Sequence, residues 1–331
     1  MKQIGKLRFV IYSTAFSVVF LLASLCTFPK DVLRDVAESS LTNVALMAGP
    51  KNRGVPQVTV EDVSFWWLSG VDLKGLRVQW LPQKNQPQIG IEFDRLKARL
   101  GLFALLTGSK KAVLASSLYG GDLSAQFKIH SKNEIAYVDV NASKLDFAKM
   151  DFIESILGAP LSGVLNLVAH ADAKTELSKD GTGHIKINWE NMGFGPGSIN
   201  LPAGGFVSSL TVPKVALGKL SAELALDKGQ IESKSFSMSG GDVEADLKLT
   251  ISLGRQASSS RLSGDGWFSV KREFINTNET LKMLFDLIPE LKEAQSSNGK
   301  VGLIIRGNVA RPQFKLEKYQ ENKKPEAEAQ K

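Results

Sequence analysis

The chain is poor in the residues on which most enzymes and metal proteins are built. It has a single cysteine, Cys26, so no intramolecular disulfide and no cysteine cluster is available to it. Its three histidines, His130, His170 and His184, lie far apart in sequence, which leaves no spacing suited to structural zinc. It contains no Gly-x-Ser-x-Gly elbow, no phosphate loop and no His-Glu-x-x-His. Gly193, Gly195 and Gly197 fall close together, but Pro196 removes a backbone donor and no helix start follows, so they read as a turn. The formal charge is only +7 over 331 residues, with no basic stripe carrying interleaved aromatics, which excludes nucleic acid as a partner. No catalytic residue, metal ligand or cofactor site is assigned, and the expectation is that the protein is not an enzyme.

One long hydrophobic run is present, Phe9 to Phe28, without a charged residue. At about 1.5 Å per residue in a helix it spans roughly 30 Å, the hydrocarbon thickness of a bilayer. Lys2, Lys6 and Arg8 precede it, whereas Lys30 and Arg34 after it are mixed with Asp31 and Asp35. The positive-inside rule then sets the N-terminus in the cytoplasm and the body beyond the membrane. An uncleaved single-pass anchor is preferred to a cleaved signal, because the run is long and no small-x-small site follows it. It is also preferred to a lipoprotein, because Leu25 is too large before a lipidated Cys26.

The expected organisation has four parts. Residues 1–30 are the cytoplasmic tip and anchor, and 31–56 an amphipathic helix with Val32, Val36, Leu41, Val44 and Ala45 near helical spacing, followed by a Gly/Pro linker. Residues 57–316 form a β-rich domain, and 317–331, without apolar residues apart from alanine and Tyr319, a disordered tail.

Period-two alternation dominates the body. Its cleanest stretch is Val243, Ala245, Leu247, Leu249, Ile251 and Leu253, with Glu244, Asp246, Lys248, Thr250 and Ser252 between them. Such strands have one apolar and one wet face, which calls for an antiparallel sheet. Asp227-Lys228-Gly229 is a hairpin signal. Leu145–Leu157 and Phe274–Leu291 read as amphipathic helices, the second with Asn276, Thr277 or Asn278 as cap. The fold class is therefore mainly β, with two or three amphipathic helices besides the anchor.

Two stretches echo each other, SLYGGDLSAQFKI from Ser117 and SMSGGDVEADLKL from Ser237. Each is followed by a strand, a helix and a glycine-led strand, which gives an internal repeat over about 117–170 and 237–306. Gly120, Gly121, Asp122 and Gly240, Gly241, Asp242 are structural turns, with glycine supplying positive φ and aspartate accepting from backbone N–H groups. Trp66 and Trp67 point to opposite faces of a strand, so one of them is a candidate contact with the membrane interface or a partner.

Three stretches together resemble a family architecture. Ile91–Leu118 with its Gly-Gly-Asp turn, and Ile305–Leu316 (IRGNVARPQFKL), are similar to the opening and closing strand modules of AsmA-like envelope proteins. Leu210–Leu253 resembles the type II secretion system protein GspN. The resemblance implies a long antiparallel sheet curved into an AsmA-like trough or half-barrel, on the periplasmic side of an inner-membrane anchor. It implies a non-enzymatic component of type II protein secretion, with secretion-system proteins as partners. The alternative is an AsmA-like lipid-binding or lipid-transfer protein, with phospholipid held in an apolar groove.

Overall fold

The computed structural model describes residues 29–48, 54–66, 69–81, 89–101, 110–129, 135–200, 209–254, 259–287 and 289–320. The Phe9–Phe28 run, Trp67 and His130 lie outside the described residues. Among those described, no helix is long and apolar enough to cross a membrane.

The alternating segments join one open antiparallel sheet of 15 strands. It is built from β1 (Gln57–Thr59), β2 (Asp62–Trp66), β3 (Gly70–Trp80), β4 (Ile89–Leu100), β5 (Lys110–Leu118), β6 (Gly121–Ile129), β7 (Ile135–Asp146), β8 (Leu161–Asp172) and β9 (Thr182–Phe194). After a detour it continues with β12 (Val215–Asp227), β13 (Gln230–Ser239), β14 (Val243–Ser252), β15 (Arg261–Val270), β16 (Lys300–Asn308) and β17 (Arg311–Lys318). From β3 onward each strand pairs with its neighbour in sequence, except that β9 pairs with β12. The detour is a separate hairpin, β10 (Gly197–Asn200) with β11 (Ser209–Val212). Both β1 and β2 pair with β3.

Local chemistry sets the turns. Lys228 and Gly229 both adopt left-handed φ, 47° and 78°, in the two-residue connection that joins β12 to β13. This is the turn class whose twist matches that of the flanking strands.

Helix α1 (Lys30–Ala48) packs through Leu33, Ala37, Leu41 and Ala45 onto the first buried cluster, which includes Val63, Leu73, Leu76 and Trp80. This corrects the stripe read from sequence. Leu41 and Ala45 belong to the packed face, but Val32, Val36 and Val44 are 48%, 56% and 60% exposed. The helix is apolar over more of its circumference than the sheet end covers, and a spacing of four throughout selects the neighbouring row. Glu38 fixes its position by accepting the Val60 N–H at 2.8 Å.

The two internal helices also differ in extent. Leu145 and Asp146 belong to β7. A 3-10 turn, Phe147–Lys149, follows, and only Asp151–Leu157 is α-helical (α2). Asp146 accepts the Ala148 N–H at 3.1 Å, which ends the strand. The second stretch divides into α4 (Arg272–Thr277), α5 (Glu279–Leu287) and α6 (Pro289–Ala294), numbered after the single turn α3 (Leu177–Asp180). Asn278 is extended at φ −124°, and its side chain accepts the Leu281 N–H, so it caps α5 and interrupts the longer helix. Pro289 opens α6, where its missing N–H costs nothing. The strand at the C-terminal end also runs further than expected: Glu317 and Lys318 belong to β17, and Tyr319 packs 6.1 Å from Trp267.

Candidate functional site

Residues opposite one another on paired strands share a face, so the register traces each face across the sheet. One row runs through Val71, Ala98, Leu114, Ala125, Val140, Ala169, Ile185 and Leu224, on β3 to β9 and then β12. It meets no polar side chain over those eight strands. Further along, Ala245 faces Phe268 and Phe268 faces Val301, while Ile305 faces Phe314. On β13 the row meets Ser233, opposite Leu224, with Ile231, Phe236 and Met238 on the same face, so this face of the sheet is predominantly apolar from β3 to β17.

The other face is wet. Its counterpart row carries Gln126, Asp139, His170 and His184. His170 Nδ1 lies 3.1 Å from Asp139, and its ring centroid is 5.8 Å from that of His184. Tyr137 meets His170 edge-on, and burial together with the Asp139 charge raises its hydroxyl pKa. Sequence spacing gave no sign of this cluster, because cross-strand pairing alone assembles it. Among the described residues no group of three or more His, Cys, Asp or Glu is placed to hold a metal ion.

The apolar face is covered unevenly. Strands β7, β9 and β15 all end at the same rim, and from it leave α2, the β10–β11 hairpin and α4–α6. There α2 seals a second buried cluster of Leu118, Ala142, Leu145 and Met150, with Phe152 joining it to the first. Toward the middle and the opposite rim, Phe127, Val138, Ile185, Leu224, Leu249 and Ile251 are only half-buried. A pocket of about 360 Å³ opens on this face between β2 and β5, lined among others by Phe65, Val71, Ala98, Leu100 and Leu114.

The six alternating residues from Val243 fall on this apolar face. Ala245 is buried, Val243, Leu247, Leu249 and Ile251 are half-buried, and Leu253 lies just past the strand end. Trp66 stands on the wet face, with Arg99 and Lys97 over its ring at 5.1 and 5.6 Å, while Phe65 beside it takes the apolar side. Next to them Arg95 clasps Asp72 with both Nε and Nη2, holding its carboxyl below the ordinary carboxylate range.

The two Gly-Gly-Asp turns lie on the helix-bearing rim but are built differently. In the first, Tyr119 and Gly120 take the left-handed positions, Gly121 already belongs to β6, and Asp122 accepts the Ser117 hydroxyl at 2.8 Å. In the second, only Gly240 is left-handed, and Asp242 reaches across to accept the Ala216 N–H of β12 at 2.8 Å. After each turn the order is strand, strand, helix, strand.

No family model, curated protein or solved structure matches the chain.

Proposed function

We propose that this chain is a non-enzymatic lipid-binding protein that holds acyl chains along the apolar face of its sheet. The observation that carries the reading is the predominantly apolar face from β3 to β17, interrupted at Ser233, sealed at one rim and half-exposed at the other. Thirteen adjacent strands at about 4.8 Å make it roughly 60 Å long, and a ten-residue strand reaches about 34 Å across. Soluble proteins rarely leave apolar area of that extent uncovered, and an acyl chain covers it without demanding hydrogen bonds. Irregular registers in β7, β8, β12 and β13 introduce bulges, which bend strands and favour a trough. The Phe9–Phe28 run serves as a single-pass inner-membrane anchor with a cytoplasmic N-terminus. The body then lies in the periplasm, where the open face takes up phospholipid.

A second reading makes the chain a non-enzymatic component of type II secretion that contacts partner proteins through the wet face. It is favoured by the segment that resembles GspN, Leu210–Leu253, which supplies β12, β13 and β14 in the middle of the sheet.

Native mass spectrometry of the gently purified chain tests the first reading. Bound phospholipid is expected, and it should be lost when Leu224 and Leu249 are replaced by Glu in a variant that keeps its β circular dichroism. A lipid-free mass for the unaltered chain would remove the lipid reading. A deletion strain that fails to release exoproteins while its lipid profile stays normal would establish the secretion reading in its place.

A further inference from the structure

We propose that β17 is the seat of a second copy of this chain, paired edge to edge in the register that sets Phe314 opposite Phe314 of that copy. The two ends of the sheet are treated differently. At the β1–β3 end α1 lies across the strands, whereas β17 has β16 as its sheet partner and Arg311–Lys315 are exposed. Phe314 is 65% exposed, a value that among the large apolar side chains described is matched by Val55 and exceeded by none.

The direction of the free backbone groups follows from the hairpin. The Arg311 N–H points toward β16, where it donates to the Asn308 side chain at 2.7 Å. Alternation then turns the groups of Gln313, Lys315 and Glu317 inward, and those of Pro312, Phe314 and Leu316 outward. Pro312, which has no N–H, occupies an outward position, as an edge strand permits.

Several two-fold registers bring these groups together, and centring on Gln313 opposes Arg311 and Lys315, a like-charge pair. Centring on Lys315 opposes two lysines and sets Pro312 against Lys318. Centring on Leu316 sets Phe314 against Lys318 and brings the partner over the end of the strand against which α6 packs. Centring on Phe314 pairs the two phenyl rings, lets Leu316 N–H donate to the Pro312 carbonyl twice, and places Arg311 opposite Glu317 of the other copy, also twice. Among the described residues neither Arg311 nor Glu317 has an ion-pair partner within its own chain. Opposite charges across a strand pair stabilise it, and like charges oppose it. The same two-fold axis sets apolar face beside apolar face, so the two troughs run on as one.

Cross-linking in membranes carrying the full chain tests this, with Cys26→Ser as background. Opposed residues of a hydrogen-bonded pair have Cα atoms about 5.5 Å apart, within disulfide range. Phe314→Cys is expected to oxidise to a homodimer, and Val309→Cys and Leu316→Cys to remain monomeric. Arg311→Glu should abolish the Phe314→Cys dimer, and Arg311→Glu with Glu317→Arg should restore it. Cross-linking at Leu316 or Val309 as strong as at Phe314, capture of a different protein, failure of the charge exchange to restore the dimer, or no cross-link at all would each overturn the proposal. Lipid content does not enter these readouts, so they stand or fall apart from the acyl-chain reading.

Discussion

Trp189 and Leu220 stand directly opposite each other on the apolar face, on β9 and β12, although the β10–β11 hairpin lies between them in the chain. The detour therefore leaves the sheet and returns without interrupting its apolar surface. The Trp189 ring also packs 4.2 Å from that of Phe147, between the α2-covered rim and the open middle.

That position makes Trp189 a reporter for the proposed ligand. Phospholipid carrying brominated acyl chains should quench the intrinsic fluorescence of the chain, and Trp189→Phe should remove a large part of the quenching. Equal fractional quenching in the two proteins would separate lipid from this face.

Leu76 is 1% exposed in the cluster beneath α1, whereas Leu249 is half-buried on the open face. Leu76→Ala should lower unfolding stability by about 2–5 kcal/mol, as buried leucine truncations do. Leu249→Ala should cost less, roughly 1 kcal/mol, because less surface is lost from contact. Urea titrations of both variants check the difference, and the reverse order would mean that the open face is the better packed one.

The Asp72–Arg95 pair gives a pH dependence of definite sign. A carboxyl whose folded pKa is lowered adds stability that is fully present above its unfolded value, about 3.9, and is lost as pH falls through the folded value. Arg95→Gln should therefore destabilise the chain at pH 7, by an amount that solvent screening of the half-exposed Arg95 keeps small. The gap between variant and parent should close below about pH 4. A gap that persisted at pH 2 would show that Arg95 acts through packing of its stem.

The adjacent glycines of the second turn are predicted to differ. A Cβ at Gly240 meets nothing within 4 Å, but φ there is +81°, so Gly240→Ala should cost about 1 kcal/mol and Gly240→Asn less. A Cβ at Gly241 would lie 2.2 Å from the Ala216 carbonyl oxygen, so Gly241→Ala must displace β12 and should cost more. Thermal unfolding of the three variants checks this ranking.

Period-two alternation was enough to read the sheet, because a strand with one wet face writes its burial directly into sequence. Val243 to Ile251 needed no tertiary knowledge. The helices were harder. In α1 the apolar arc is wider than its contact, so only the packed sheet end distinguishes Leu33 and Ala37 from Val32 and Val36. In the Phe274–Leu291 stretch the hydrophobic spacing continues through Asn278, whose capping geometry ends one helix and starts another. The Asp139–His170–His184 cluster lay beyond any sequence pattern, since its members are consecutive only across the ladder.

The connectivity has a kinetic consequence. From β3 to β17 each strand finds its partner in the strand just before it, apart from the single step over the hairpin. Contacts of such short sequence separation close small loops, which favours rapid folding. The sheet can then grow one rung at a time while the chain is still being delivered, each new strand docking on a finished edge. Until β17 docks on β16, the growing edge is always the most recently made one.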